Sequence, residues 1–191
     1  MVQAAEGLPV LRGCRTFLFD CDGVLWSSDC LLSGAKELIE YLIGTKRNVF
    51  LITNNSTKSA EQYVSKCQKL GLPVSATNIV CSAHIAADYL SRHGFKGPVY
   101  VLGEAGMGLE LDKLGITHFG IGVSILRTTH LTGTPTSYIC KGVPFIATNE
   151  DAQLPVTNER RIPQRGRQPS ASAVLLLPGT PYTPLSICVC I

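Results

Sequence analysis

The sequence predicts an α/β protein built on part of a doubly wound parallel sheet, and three observations carry that expectation. Short apolar runs alternate with longer stretches of helical period through the first hundred residues. The first two clear apolar runs end in polar clusters, Asp20-Cys21-Asp22-Gly23 and Thr53-Asn54-Asn55-Ser56-Thr57, and the carboxyl ends of parallel strands are where open α/β sheets bind ligands. From Phe119 to Val143 the alternation dissolves into Thr, Gly and Ser without a period, so the sheet is expected to be partial.

The elements follow in order. Thr16 to Phe19 is the first strand. Ser33 offers an N-cap to a helix whose apolar stripe is Leu38, Ile39 and Leu42, ending near Ile43 before Gly44. Val49 to Ile52 is a second buried strand. Ala60, Tyr63, Val64, Cys67 and Leu70 recur at spacings of three and four, an amphipathic helix closed by Gly71. Ile79 to Cys81, a helix from about Ala83 to Arg92, and Val99 to Leu102 repeat the pattern, with a further helix from Gly108 to Leu114 and a short strand at Phe145 to Ala147. The basic, Pro-containing run Arg160 to Pro169 reads as a linker, and no internal repeat is found.

Composition bounds the function. With 191 residues, 45% of them hydrophobic and 16% charged, the chain can bury a core, as one domain or one with an inserted lobe. A formal net charge of +3, scattered along the chain, forms no polybasic patch for nucleic acid or membrane. The uncharged stretch from Gln168 to Ile191 is interrupted by four prolines and predicts no spanning helix. The N-terminus has no secretory pattern, so a cytoplasmic protein is expected. The eight Cys are dispersed without a CxxC pair, and His84, His93, His118 and His130 show no ligand spacing with them; mostly buried free thiols are expected, not disulfides or zinc.

The chemistry concentrates at Phe17-Leu18-Phe19-Asp20-Cys21-Asp22-Gly23, an apolar strand ending in two carboxylates one residue apart. A carboxylate can hold magnesium or attack phosphorus, and a second one beside it can shuttle a proton. The competing reading is that Asp20 and Asp22 merely cap a loop. A calcium loop fails, because counting from Asp20 the position that needs a bidentate Glu is Leu31. Thr53, Asn54 and Asn55 at the second strand end supply a hydroxyl and N–H groups suited to phosphate oxygens, while Ser56 or Thr57 reads as the cap of the following helix.

Taken as an ordered pair separated by one helix, Phe-Asp-Cys-Asp-Gly-Val-Leu-Trp and Ile-Thr-Asn-Asn-Ser-Thr-Lys-Ser resemble the first two motifs of the haloacid dehalogenase superfamily of phosphatases. They are similar above all to its branch containing phosphoglycolate phosphatase and pyridoxal phosphate phosphatase, the 4-nitrophenylphosphatases. Tyr100-Val101-Leu102-Gly103-Glu104 also looks like that branch, and Phe145 to Asp151, with Thr148, Asn149 and Asp151, resembles part of its inserted cap domain. The resemblance implies a core over residues 1–95, a partial cap over 96–163 and an atypical, disordered tail over 164–191, in a truncated or alternatively terminated form. It implies Asp20 as nucleophile, Asp22 as acid and base, Asp20 and Asp22 as magnesium ligands, and Thr53, Asn54 and Asn55 as phosphate-binding residues. The implied substrate is a small phosphomonoester, phosphoglycolate first, with glycerol phosphate or pyridoxal phosphate as competitors, and a full-length form has room for a homodimer through the cap.

The departures are equally specific. The family completes its site with a Lys on a later loop and further Asp residues, and after Asp151 the chain has no Asp. Lys141-Gly142 precedes the cap-like segment and reads as a solvated loop. The alternative function is therefore a catalytically impaired product keeping only a phosphate-binding half-site; a flavodoxin-like module is weaker, because no Gly-rich nucleotide loop is present. The first strands are also expected to lie at an exposed sheet edge.

Overall fold

The computed structural model describes residues 13–121, 145–148, 173–176 and 187–188. Lys141, Asn149, Asp151 and the run Arg160 to Pro169 lie outside the described residues. Strand β1, Thr16–Asp20, is followed by a hairpin of β2, Trp26–Ser27, and β3, Cys30–Leu31. Helix α1, Ala35–Gly44, leads to β4, Asn48–Thr53; helix α2, Ala60–Lys69, leads through a short 3-10 turn to β5, Ile79–Cys81, and α3, Ser82–Arg92, follows directly. The chain then enters β6, Val99–Leu102, α4, Ala105–Lys113, and β7, His118–Phe119. Strands β8, Phe145–Ala147, β9, Ala173–Leu176, and β10, Ile187–Cys188, complete the described elements.

Strands β1, β4 and β5 form a parallel sheet in that order. Both crossovers step the same way, so right-handed connections place α1 and α2 on one face. The burial follows that geometry. The aligned row Phe19, Leu51 and Ile79 joins the core with Ile39 of α1 and Cys67 of α2. The opposite row holds Leu18, aligned with Phe50, and Leu18 is 62% exposed. Among the described residues β1 has a strand neighbour on one side only.

Val99–Leu102 does not extend this sheet. β6 founds a second sheet ordered β10-β8-β9-β6-β7, in which β9 runs antiparallel to both β6 and β8. The region 164–191, expected to be unstructured, therefore supplies two strands. The four-residue apolar run at Ala173–Leu176 has no period of its own, and its strand state rests on long-range pairing with β6 and β8.

Helix boundaries also differ from expectation. The N-cap of α1 is Gly34, in a left-handed conformation with no side-chain cap bond, in place of Ser33. The cap of α2 is Ser59, which forms a reciprocal capping box with Gln62, in place of Ser56 or Thr57. Helix α4 begins at Ala105, one turn before Gly108. Among the described cysteines, Cys21, Cys67 and Cys81 are buried free thiols, Cys14 is intermediate and Cys30 exposed.

Candidate active site

The site grows from the ends of two neighbouring parallel strands. β1 ends on Asp20 and β4 ends on Thr53, and the register pairs Asp20 with Ile52. Thr53 thus lies one step beyond Asp20 at the same edge of the sheet. After Asp20, the buried Cys21 carbonyl accepts the N–H groups of Leu25 at 3.0 Å and Trp26 at 3.2 Å. Gly23 makes that tight turn with φ of 86°, a conformation that costs other residues strain. Burial, reinforced by the Asp22 carboxylate, pushes the Cys21 thiol far above its ordinary range, so Cys21 is an uncharged structural group here.

Asp20 and Asp22 are both exposed, but they are anchored differently. The Asp22 Oδ1 accepts the indole N–H of Trp26 at 2.9 Å. Its Oδ2 lies 3.5 Å from the Asn55 Nδ2, a long contact that links the first strand end to the second. Trp26 is fully buried, stacked on Tyr63 with ring centroids 6.4 Å apart. The Lys66 Nζ sits 4.6 Å from its ring centroid and donates to the Ser28 carbonyl at 2.6 Å, a cation–π contact that closes the hairpin over α2. The sequence reading assigned no role to Trp26; its place four residues after Asp22, as the chain's one tryptophan, was the available signal.

The second strand end is more tightly folded than the sequence implies. Thr53, expected to turn its hydroxyl to the crevice, is 1% exposed. Its Oγ1 accepts the Asn55 N–H at 3.1 Å and is hydrogen-bonded to Tyr63. The Tyr63 hydroxyl gives its own proton to the Asn55 carbonyl, so the Thr53 proton turns to the Tyr63 oxygen, and the Thr53 hydroxyl, like the Asn55 main-chain N–H, is committed within the loop. The Asn55 Oδ1 accepts from the Thr57 N–H at 3.1 Å and its hydroxyl at 2.7 Å, and the Asn55 carbonyl accepts the Tyr63 hydroxyl at 3.0 Å. The Asn54 carbonyl accepts from buried Ser82 Oγ at 2.8 Å. Asn55 is thereby a brace between the strand ends, and Asn54 is held through its carbonyl from α3.

The exposed Asp20 carboxylate suits magnesium, a hard cation that binds through one or two carboxylates and keeps several waters. Among the described residues no group of three or more His, Cys, Asp and Glu gathers to form a metal cage. No helix among them is long and apolar enough to cross a membrane.

The chain is 42% identical over 108 residues to phosphoglycolate phosphatase 1A, chloroplastic, of Arabidopsis thaliana, covering 56% of this chain and 30% of that protein. It is 38% identical over 119 residues to glycerol-3-phosphate phosphatase of Gallus gallus, covering 61% of this chain and 38% of the relative. The chain thus spans well under half the length of these relatives. Among solved structures, 4-nitrophenylphosphatase of Thermotoga maritima superposes with a TM-score of 0.63 at 25% identity, over 81% of this chain and 61% of that one. The model of the haloacid dehalogenase-like hydrolases matches residues 17–117, the span that holds both strand ends, the brace between them and the start of the second sheet, and the chain belongs to that family.

Proposed function

We propose that the chain carries the phosphoryl-transfer half of a magnesium-dependent phosphatase acting on small phosphomonoesters. The observation that carries this reading is the register that sets the Asp20 strand end beside the Thr53 strand end, with Asn55 reaching Asp22 across the gap. A carboxylate oxygen of Asp20 attacks phosphorus and the bond to the ester oxygen breaks. Asp22, oriented by Trp26, gives the departing alkoxide its proton. Asp22 then takes a proton from the water that attacks the aspartyl phosphate, and phosphate leaves as the Asp20 oxygen–phosphorus bond breaks. The Asn54 N–H, with the Thr53 hydroxyl once it turns from Tyr63, stabilises the charge spread over the transferring oxygens. The Asp20 carboxylate and the Asp22 main-chain carbonyl would hold magnesium, which would offset the negative charge between nucleophile and phosphate.

The names of the relatives support a small ester of the phosphoglycolate or glycerol phosphate kind; pyridoxal phosphate remains the third candidate. Phosphate release from these esters and from 4-nitrophenyl phosphate, with and without magnesium, tests the reading. Turnover that needs magnesium and disappears in Asp20→Asn supports it. Phosphate binding at Thr53 and Asn54 without any turnover would instead favour a half-site that binds and does not catalyse.

A further inference from the structure

Four contacts from the second sheet and its helix converge on the segment that follows the phosphate-binding residues. The Gly106 N–H donates to the Thr57 carbonyl at 3.2 Å. A Cβ on Gly106 would lie 2.5 Å from the main-chain N, Cα and C of Lys58, so the two backbones meet with no room for a side chain. Thr148, at the end of β8, donates its hydroxyl to the Ser56 Oγ at 3.1 Å, both residues being buried. The fourth contact uses a charge. Glu110 of α4 is 1% exposed, and its Oε1 accepts the N–H of Ala60, the first residue of α2, at 2.7 Å.

Burying a carboxylate is costly unless it is paired, and Glu110 is paired on every side. Oε1 also accepts from Lys113 Nζ at 2.7 Å, and Oε2 lies 3.1 Å from His84 Nδ1. Lys113 reaches on to Glu61 in the first turn of α2. A negative charge at the N-terminus of α2 also complements that helix's dipole. A plain packing contact between α4 and α2 would need none of this.

We infer that Glu110 is a positioning residue for the phosphate loop, acting with Gly106 and Thr148 as a clamp. The clamp makes docking of the second sheet and ordering of residues 54–60 a single equilibrium. The inference rests on the reading of Thr53 and Asn54 as phosphate ligands. Its consequence is that the second sheet governs phosphate affinity without touching phosphate.

The test uses the full chain with Glu110→Leu, which removes the acceptor, Glu110→Gln, which keeps an oxygen for the Ala60 N–H, and Gly106→Ala, which forces the backbones apart. Ile39→Val in α1, on the core away from the clamp, controls for general loss of stability. Two readouts are taken: amide hydrogen exchange across residues 54–60, and affinity for inorganic phosphate from the shifts of the same amides. Losing a hydrogen bond to a buried charge predicts exchange faster by about tenfold or more, and phosphate weaker by about tenfold, in Glu110→Leu and Gly106→Ala. Glu110→Gln should stay within about threefold of the unmodified chain on both counts. Exchange at residues 54–60 rising no more in Glu110→Leu and Gly106→Ala than in Ile39→Val overturns the clamp. Failure of the unmodified chain to bind phosphate counts against the phosphatase reading instead, and the exchange data still decide the clamp.

Discussion

Replacing Trp26 by Phe probes the link between the core and Asp22, the proposed acid–base carboxylate. The change deletes one donor, the indole N–H that holds Asp22 Oδ1 at 2.9 Å, and part of a fully buried ring system. A hydrogen bond to a charged group contributes about 1.5–3 kcal/mol, but Asp22 is exposed and water can take the vacated place, so about 1 kcal/mol is expected from this source. Trimming indole to phenyl keeps the stacking on Tyr63 and leaves a partial cavity, adding about 1–2 kcal/mol on the scale of large-to-small core substitutions. Chemical denaturation should therefore show a loss of about 2–3 kcal/mol with an unchanged denaturant slope. A cycle combining Trp26→Phe with Asp22→Ala separates the two parts, with a coupling of about 1 kcal/mol expected. Coupling indistinguishable from zero, or a total loss below about 0.5 kcal/mol, would refute the view that Trp26 orients Asp22.

Leu18 and Leu51 sit in adjacent strands of one sheet at 62% and 0% exposure, so Leu18→Ser should change stability by about 0.5 kcal/mol or less and Leu51→Ala should cost about 2–5 kcal/mol, both read by denaturant midpoint. Burial raises the Cys67 and Cys81 thiols from 9.0 to about 11, which favours their protonated form in the folded chain. That contribution is intact below pH 9.0 and is lost as pH rises toward about 11; a thiol reagent at neutral pH should accordingly modify Cys30 first and spare Cys21, Cys67 and Cys81 until the chain unfolds. The hydrogen bond from Lys113 holds the Glu61 carboxyl below its ordinary 4.5, so its contribution is present above that value and fades as pH falls below it. Glu61→Gln should make the acid limb of the stability profile shallower, and an unchanged limb would contradict the pairing.

The alternation of strand and helix was legible through β6 because the helices there are long enough to display their own period, as the three-and-four spacing of Ala60, Tyr63 and Cys67 does, and separate short apolar runs. Elements without a period were missed. The two-residue strands Trp26–Ser27 and Cys30–Leu31 are held by the Ser28-Asp29 turn between them, and Ala173–Leu176 depends on partners more than twenty residues away in sequence. The α2 cap was a different kind of miss, since Ser59 followed three residues later by Gln62 is a readable capping box that Ser56 and Thr57 obscured. At the site, the residue types at the two strand ends were legible, because polar clusters after apolar strands point to one sheet edge. The inward turn of the Thr53 hydroxyl and the commitment of Asn55 were not, since both depend on Tyr63 and Thr57 folding back over the loop.

Under the proposed function, the two carboxylates at the end of β1 divide their work according to how each is held. Asp20 closes a strand whose ladder to β4 fixes its backbone, while its side chain stays exposed, as a nucleophile must if it is to meet both a cation and phosphorus. Asp22 has left the β1 ladder, and its carboxylate is instead oriented from the side by a buried indole, as an acid–base group must be if one oxygen is to face the leaving group while the other is occupied. Exchanging those environments would defeat both functions: a nucleophile held by a donor is less nucleophilic, and an untethered acid is poorly aligned for proton transfer. The single intervening residue makes the difference. Cys21 is buried and its carbonyl gathers the N–H groups of Leu25 and Trp26, so the chain reverses just after the second acid, and that turn carries Trp26 back to hold it.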